Sequence, residues 1–196
     1  MTTGRDHAAH KAKRTDARLN RERLTAAAHQ VFTELGPEAS LNEIARRAGV
    51  GPGTLYRHFP NRQALLTAVL RDRIQALCEY AEKLRATDSA DSALAQWLGA
   101  FLAHARDNHG MGSALMVNEP GETDLDCHQL ISNAAAGLLT RAQHHGTARY
   151  DLTADDLVRL VTGIALSTAR EEDAEPAHRL LALVLDAAYA APRQSR

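Results

Sequence analysis

The sequence predicts an all-α fold of about nine helices. Alanine, the strongest helix former, recurs throughout, and β-branched residues are few, so intrinsic preference favours helix nearly everywhere. No strand-length alternation of apolar and polar residues occurs, and no Asn-Gly or Asp-Gly hairpin turn. Aromatic residues make up only 4% of the chain, which suits helices rather than sheets. A chain of 196 residues allows one or two domains. With 44% hydrophobic and 24% charged residues, it is of ordinary globular composition, which excludes disorder throughout.

Each element has its own signals. Residues 1–17 lack apolar periodicity and read as a flexible basic tail carrying Arg5, Lys11, Lys13 and Arg14. A first helix over about 18–35 has Leu24, Ala27, Ala28, Val31, Phe32 and Leu35 on one stripe, and Gly36-Pro37 stops it. Ser40-Leu41-Asn42-Glu43 has the form of a capping box and opens a second helix. Gly49 suits the left-handed position that ends it. Pro52 starts a third helix, where its missing N–H costs nothing, and Pro60 closes it by disfavouring helical geometry at Phe59. Asn61 can cap a fourth helix over about 62–86. Further helices are expected from Asp88 or Ser89 to about Asn108, around 112–118, over about 124–145, about 154–170 and about 175–191. Thr153 and the acidic Asp155 and Asp156 suit a helix start. Gly and Pro lie in most of the breaks between these segments.

Charge divides the chain. The formal net charge is −1, but residues 1–73 hold 13 Lys+Arg against 7 Asp+Glu, and the remainder holds 10 against 17. A basic first third suits a polyanion; the acidic remainder would repel one. The two cysteines, Cys78 and Cys127, form no framework or metal spacing, and a reducing cytoplasm fits them. No secretory signal or membrane-spanning stretch is recognisable, so no membrane association is expected.

Residues 41–59, LNEIARRAGVGPGTLYRHF, read as a helix-turn-helix. Ile44, Ala45 and Ala48 must face Leu55 and Phe59. The outward residues of the second helix are then Pro52, Gly53, Thr54, Tyr56, Arg57 and His58. The segments VFTELG (31–36), SLNEIARRAGVG (40–51), GTLYRHFPNR (53–62) and ALL (64–66) resemble the DNA-binding domain of the TetR family of bacterial transcriptional repressors. The resemblance spans about Leu24 to Leu66. It implies that residues 52–58 are a recognition helix in the major groove. Thr54, Tyr56 and His58 would contact phosphates; Pro52, Gly53 and Arg57 would lie at or near base edges. Ser40 and Arg46 would lie near the backbone, and Arg62 would add a phosphate contact. The expected organisation is a tail (1–17), a helix-turn-helix DNA-binding domain (18–66) and a helical effector-binding and dimerisation domain (67–196).

The last two helices are apolar around most of their circumference, so both sides need cover. A two-fold dimer through Leu157, Val161, Ile164, Leu180, Val184 and Ala188 would supply it, and the resemblance agrees. An effector pocket among Tyr80, Trp97, Phe101, His104, Met116 and Asn133 follows from the resemblance and from the usual mix of apolar and polar lining. The ten histidines lack metal-ligand spacing. No metal and no cofactor are expected. No nucleophile elbow, HExxH or phosphate-binding lysine motif occurs, so the chain is not expected to be an enzyme. The expected function is a ligand-responsive regulator, a repressor in the first instance. It would bind a pseudo-palindromic DNA operator as a homodimer in the cytoplasm, at the nucleoid, and be released by a small-molecule effector. An effector-free architectural DNA binder is the principal alternative.

Overall fold

Residues 3–87, 89–108, 127–171 and 173–189 are described by a computed structural model. Among them there are eight helices and no strand: α1 (Thr3–Leu35), α2 (Leu41–Arg47), α3 (Pro52–His58), α4 (Arg62–Thr87), α5 (Ala90–Asp107), α6 (Cys127–His144), α7 (Ala154–Ser167) and α8 (Glu175–Tyr189). The helix expected around 112–118 lies outside the described residues. The chain divides into two compact units, one up to Leu70 and one from Arg71.

The first unit is built on the stripe of α1. Leu24, Ala28, Val31 and Phe32 are buried with Ile44, Leu55, Phe59, Leu65, Leu66 and Val69. Leu35 departs from the expected stripe and is 59% exposed, because it is the last helical residue before the chain turns. That turn is made at Gly36, whose φ is +82°, a conformation that L side chains rarely adopt. Helix α1 begins at Thr3 rather than near residue 18. Ala8, Ala9, Lys11, Ala12, Lys13 and Arg14 are strong helix formers, and extending a helix that packing has already nucleated is easy.

The second unit packs α5 centrally. Leu94, Trp97, Leu98, Phe101 and Leu102 of α5 share one core with Leu138 and Leu139 of α6, Leu157 and Val161 of α7, and Leu181 of α8. Two polar devices fix the ends. Thr153 caps α7 with a reciprocal box: its hydroxyl accepts from the Asp156 N–H at 3.2 Å, and the Asp156 carboxylate accepts from the Thr153 N–H at 3.0 Å. The Arg106 guanidinium donates to the Thr168 hydroxyl at 2.9 Å and to the Glu171 and Asp173 carbonyls at 3.0 and 3.2 Å, satisfying the chain after α7.

Candidate nucleic-acid interface

Helix α3 is short because both of its ends are set by sequence. Gly51 is extended at the N-cap and Pro52 takes the first helical position. Phe59 is extended at φ −136°, as the following Pro60 requires. Between them only Leu55 is buried, at 1% exposure. It fastens α3 to Ile44 and Ala45 of α2 in the common core. The connecting turn depends on Gly49, at φ +69°, and the Val50 N–H donates back to the Ala45 carbonyl at 3.0 Å.

With Leu55 inward, the other side chains of α3 face out. Pro52, Gly53, Tyr56 and Arg57 are exposed, and Thr54 and His58 are half-buried. Tyr56 is 51% exposed, with its ring on the outer face of α3. The His58 ring lies 6.4 Å from that of Phe59 in a tilted arrangement. The Arg21 guanidinium of α1 sits over the other aromatic contact of this corner, 4.7 Å from the Phe59 ring centroid.

Three neighbouring residues behave differently from the sequence expectation. Ser40 occupies the N-cap of α2, but its side chain makes no cap bond, so the expected capping box is absent. Its partner Glu43 is turned to the arginines instead. It accepts from Arg46 Nε at 2.8 Å and Nη2 at 2.7 Å, and from Arg47 Nε at 2.8 Å. The Arg46 bonds, with Arg47 adding, hold the Glu43 carboxyl at about 2. Arg46 therefore presents a compensated charge, although it is 73% exposed. Arg62, expected to reach a phosphate, is turned inward. Its Nη1 donates to the Pro37 carbonyl at 2.8 Å and also to that of Ala39, which ties the α1–α2 connection to the start of α4. The carbonyls left without partners beside the Gly36 turn explain this: they need a donor, and a guanidinium supplies several.

Comparison with known proteins agrees with this geometry. Residues 24–69 match the family described as bacterial regulatory proteins, tetR family, and residues 89–187 match the C-terminal domain of SbtR-like transcriptional regulators. A TetR transcriptional regulator from Streptomyces coelicolor is 38% identical; the alignment covers 86% of this chain and 98% of that one, with a TM-score of 0.75. A TetR transcription regulatory protein from Mycobacterium vanbaalenii is 30% identical over 90% of this chain and 99% of its own, with a TM-score of 0.71. The chain belongs to the TetR family. An HTH-type transcriptional regulator of Staphylococcus aureus (strain USA300) is 37% identical over 73 residues, 37% of this chain. This match spans only 40% of that relative's length.

As a TetR-family transcriptional regulator, the chain has its DNA-binding helix-turn-helix in α2 and α3. Among the described residues, no helix is long and apolar enough to cross a membrane, and no group of three or more His, Cys, Asp or Glu could hold a metal ion.

Of the residues expected to line an effector pocket, Trp97 and Phe101 share the core of the second unit and Tyr80 packs against it. Trp97 and Phe101 are core, 0% and 3% exposed, with rings stacked 5.6 Å apart. Trp97 donates its indole N–H to the Leu77 carbonyl at 3.0 Å. Tyr80 is half-buried, with its hydroxyl 3.5 Å from Gln96 Oε1. Half-buried His104 lies beside Asn108, which also takes a 2.7 Å bond from Arg73. Asn133 is exposed on α6, accepting from Gln129 at 2.8 Å. Met116 lies outside the described residues.

The expected interface residues divide as well. Leu157 and Val161 are fully buried inside their own unit, and Ala188 and Ile164 are 2% and 8% exposed. Leu180 and Val184 are half-buried. The large apolar residues left open on α7 and α8 are Leu160 at 49%, Leu166 at 57% and Leu183 at 60%. Leu160 and Leu183 line an apolar groove of about 440 Å³ with Ile164, Leu180, Val184 and Ala187. The sequence did not single out Leu160 and Leu183 because each helix has an apolar face wider than its own core uses, and the pattern does not say which part of that face stays open.

Proposed function

We propose that this chain is a ligand-responsive transcriptional repressor that binds a pseudo-palindromic operator as a homodimer. The observation that carries the reading is the outer face of α3: Pro52, Gly53, Tyr56 and Arg57 exposed together while Leu55 alone is anchored. Thr54, Tyr56 and His58 have donors suited to phosphate, and Arg57 carries the fork that pairs with guanine. Ser40, exposed and free of a cap bond in α2, supplies a further hydroxyl. Arg62 holds the loop behind this surface instead of joining it.

Two copies of α3 would enter successive major grooves about 34–36 Å apart. The open apolar face at Leu160 and Leu183 supports a second copy as the cover for α7 and α8. A small molecule bound in the second unit would release the DNA, acting through α4, which carries residues of both units. A coupling of about 1–3 kcal/mol is enough to change affinity 5–150-fold. The site of action is DNA in the cytoplasm.

Selection of bound sequences from a random duplex pool tests the reading. Wild-type protein is expected to recover an inverted repeat. Tyr56→Ala should weaken binding to all duplexes. Arg57→Ala should relax preference at one base pair, by about 1–3 kcal/mol. Recovery of no sequence alongside salt-sensitive binding would favour an architectural role. Equal losses for Arg57→Ala on selected and random DNA would remove its base-reading role.

A further inference from the structure

We propose that Glu43 limits how strongly this chain binds DNA of any sequence, by holding the Arg46 guanidinium back from the phosphate backbone beside α3. This rests on the reading of α3 as the recognition helix. Arg46 stands in the last turn of α2, and its carbonyl accepts from the Gly49 N–H at 3.2 Å in the turn that leads into α3. Its side chain is 73% exposed, so burial does not keep it from an anion. A guanidinium set free at the entry to a recognition helix would add a phosphate contact, which carries no sequence information.

Glu43 opposes that contact in three ways. It lies three residues before Arg46, so the two side chains meet on the helix surface. Both of its oxygens are engaged there: Oε2 accepts from Arg46 Nε at 2.8 Å, and Oε1 accepts from Arg46 Nη2 at 2.7 Å. This is the bidentate fork that a phosphate would use, so the same pair of donors cannot serve both at once. The pairing also draws the guanidinium back along α2, away from the turn into α3. Finally, a phosphate approaching Arg46 meets the carboxylate charge as well. The carboxyl is held at about 2 by its arginine partners, so that charge persists throughout the neutral range. Arg47 completes the cluster and is held twice. Its Nε donates to Glu43 Oε1 at 2.8 Å, and its Nη1 donates to Glu34 Oε2 of α1 at 2.6 Å. Two acids thus face two guanidiniums, but they control different ones. Among the described residues, Glu43 is the acid paired with Arg46, and Glu34 is paired with Arg47. Removal of Glu43 leaves Arg47 on Glu34 and releases one guanidinium, that of Arg46.

That division gives a test at constant charge. Glu43→Gln and Glu34→Gln each remove one negative charge from the same cluster, and only the first frees Arg46. Glutamine keeps the side-chain length and the helix preference, and circular dichroism melts establish that both variants are folded. Binding of the full chain to a random-sequence duplex, and to a duplex selected by the wild type, is followed against salt. Each phosphate neutralised contributes about 0.9 to the slope of log K against log salt. Glu43→Gln should therefore steepen the slope by about 0.9 on both duplexes, and Glu34→Gln should keep the wild-type slope. Added to an Arg46→Gln background, Glu43→Gln should steepen nothing. An unchanged slope for Glu43→Gln would overturn the proposal, as would equal steepening by Glu34→Gln. A gain that persists in the Arg46→Gln background would also overturn it, since it would be a general effect of charge. Tyr56→Ala, assayed in parallel, reports on α3 separately. If it binds like the wild type while Glu43→Gln gains slope, the recognition-helix reading has failed and the role of Glu43 has not. If Tyr56→Ala weakens binding and Glu43→Gln changes nothing, the reverse holds.

Discussion

At the scale of single residues, one arginine type serves three ends in the first unit. Arg57 is open on α3, Arg46 is matched by Glu43, and Arg62 is spent on backbone carbonyls. Sequence spacing identified Arg57 as outward, since Leu55 fixes the register of so short a helix. It could not show the other two, because their partners are set by side-chain direction and by orphaned carbonyls across a turn. Arg62→Ala should lower the stability of the first unit by about 1.5–3 kcal/mol, from two lost charge-assisted bonds. The salt slope of its DNA binding should stay at the wild-type value; a reduced slope would restore Arg62 to the phosphate-contacting set. His104 offers a pH test. Burial first, then the Arg73 charge, pushes its imidazole down to about 4, against the opposing pull of Asp107. Below its ordinary value near 6.5, the unfolded chain takes up a proton that the folded chain refuses. Stability should therefore fall as pH drops from about 6.5 toward 4, and His104→Gln should flatten that window in denaturant titrations. A slope equal to the wild type's would mean that His104 protonates freely in the folded state.

At the scale of elements, the boundaries around the helix-turn-helix were readable because they depend on backbone rules. Gly49 takes positive φ, Pro52 opens α3, and Asn61 Oδ1 accepts from the Ala64 N–H at 2.8 Å. The two hydroxyl caps diverge, although both are followed three positions on by an acid. Asp156 reaches back to Thr153, whereas Glu43 has two arginines within reach on its own helix and takes them. Three bonds from two guanidiniums outcompete the single backbone N–H that a capping box offers a carboxylate. Thr153→Ala should thus lower stability by about 0.5–2 kcal/mol, and Ser40→Ala should change it by less than about 0.5 kcal/mol. Thermal melting of both variants checks the pair. A comparable loss for Ser40→Ala would mean that it caps α2 after all.

At the scale of the whole molecule, the all-α class and the split between a basic and an acidic part were legible, because propensity and charge accumulate over many residues. The outward side of α7 and α8 was not. Contrary to the expectation of helices apolar around most of their circumference, each has a polar side, but its apolar face is wider than the core uses, and packing within the unit decides that Leu157 and Val161 go in while Leu160 and Leu183 stay out. Leu160→Asp/Leu183→Asp should dissociate a dimer in sedimentation without unfolding the chain. Leu157→Asp should unfold the second unit, since it would bury an unpaired charge. A double variant with unchanged mass in solution would place the interface elsewhere. The core of that unit also carries a reporter. Trp97 is the chain's one tryptophan, wholly shielded, with its indole N–H on the Leu77 carbonyl. Its fluorescence therefore belongs to the second unit alone, with short-wavelength emission while that unit is folded and a red shift when water enters. Helical circular dichroism reads both units at once. Melting curves recorded both ways on one sample would separate a chain that unfolds as a single body from one whose DNA-reading part lets go first.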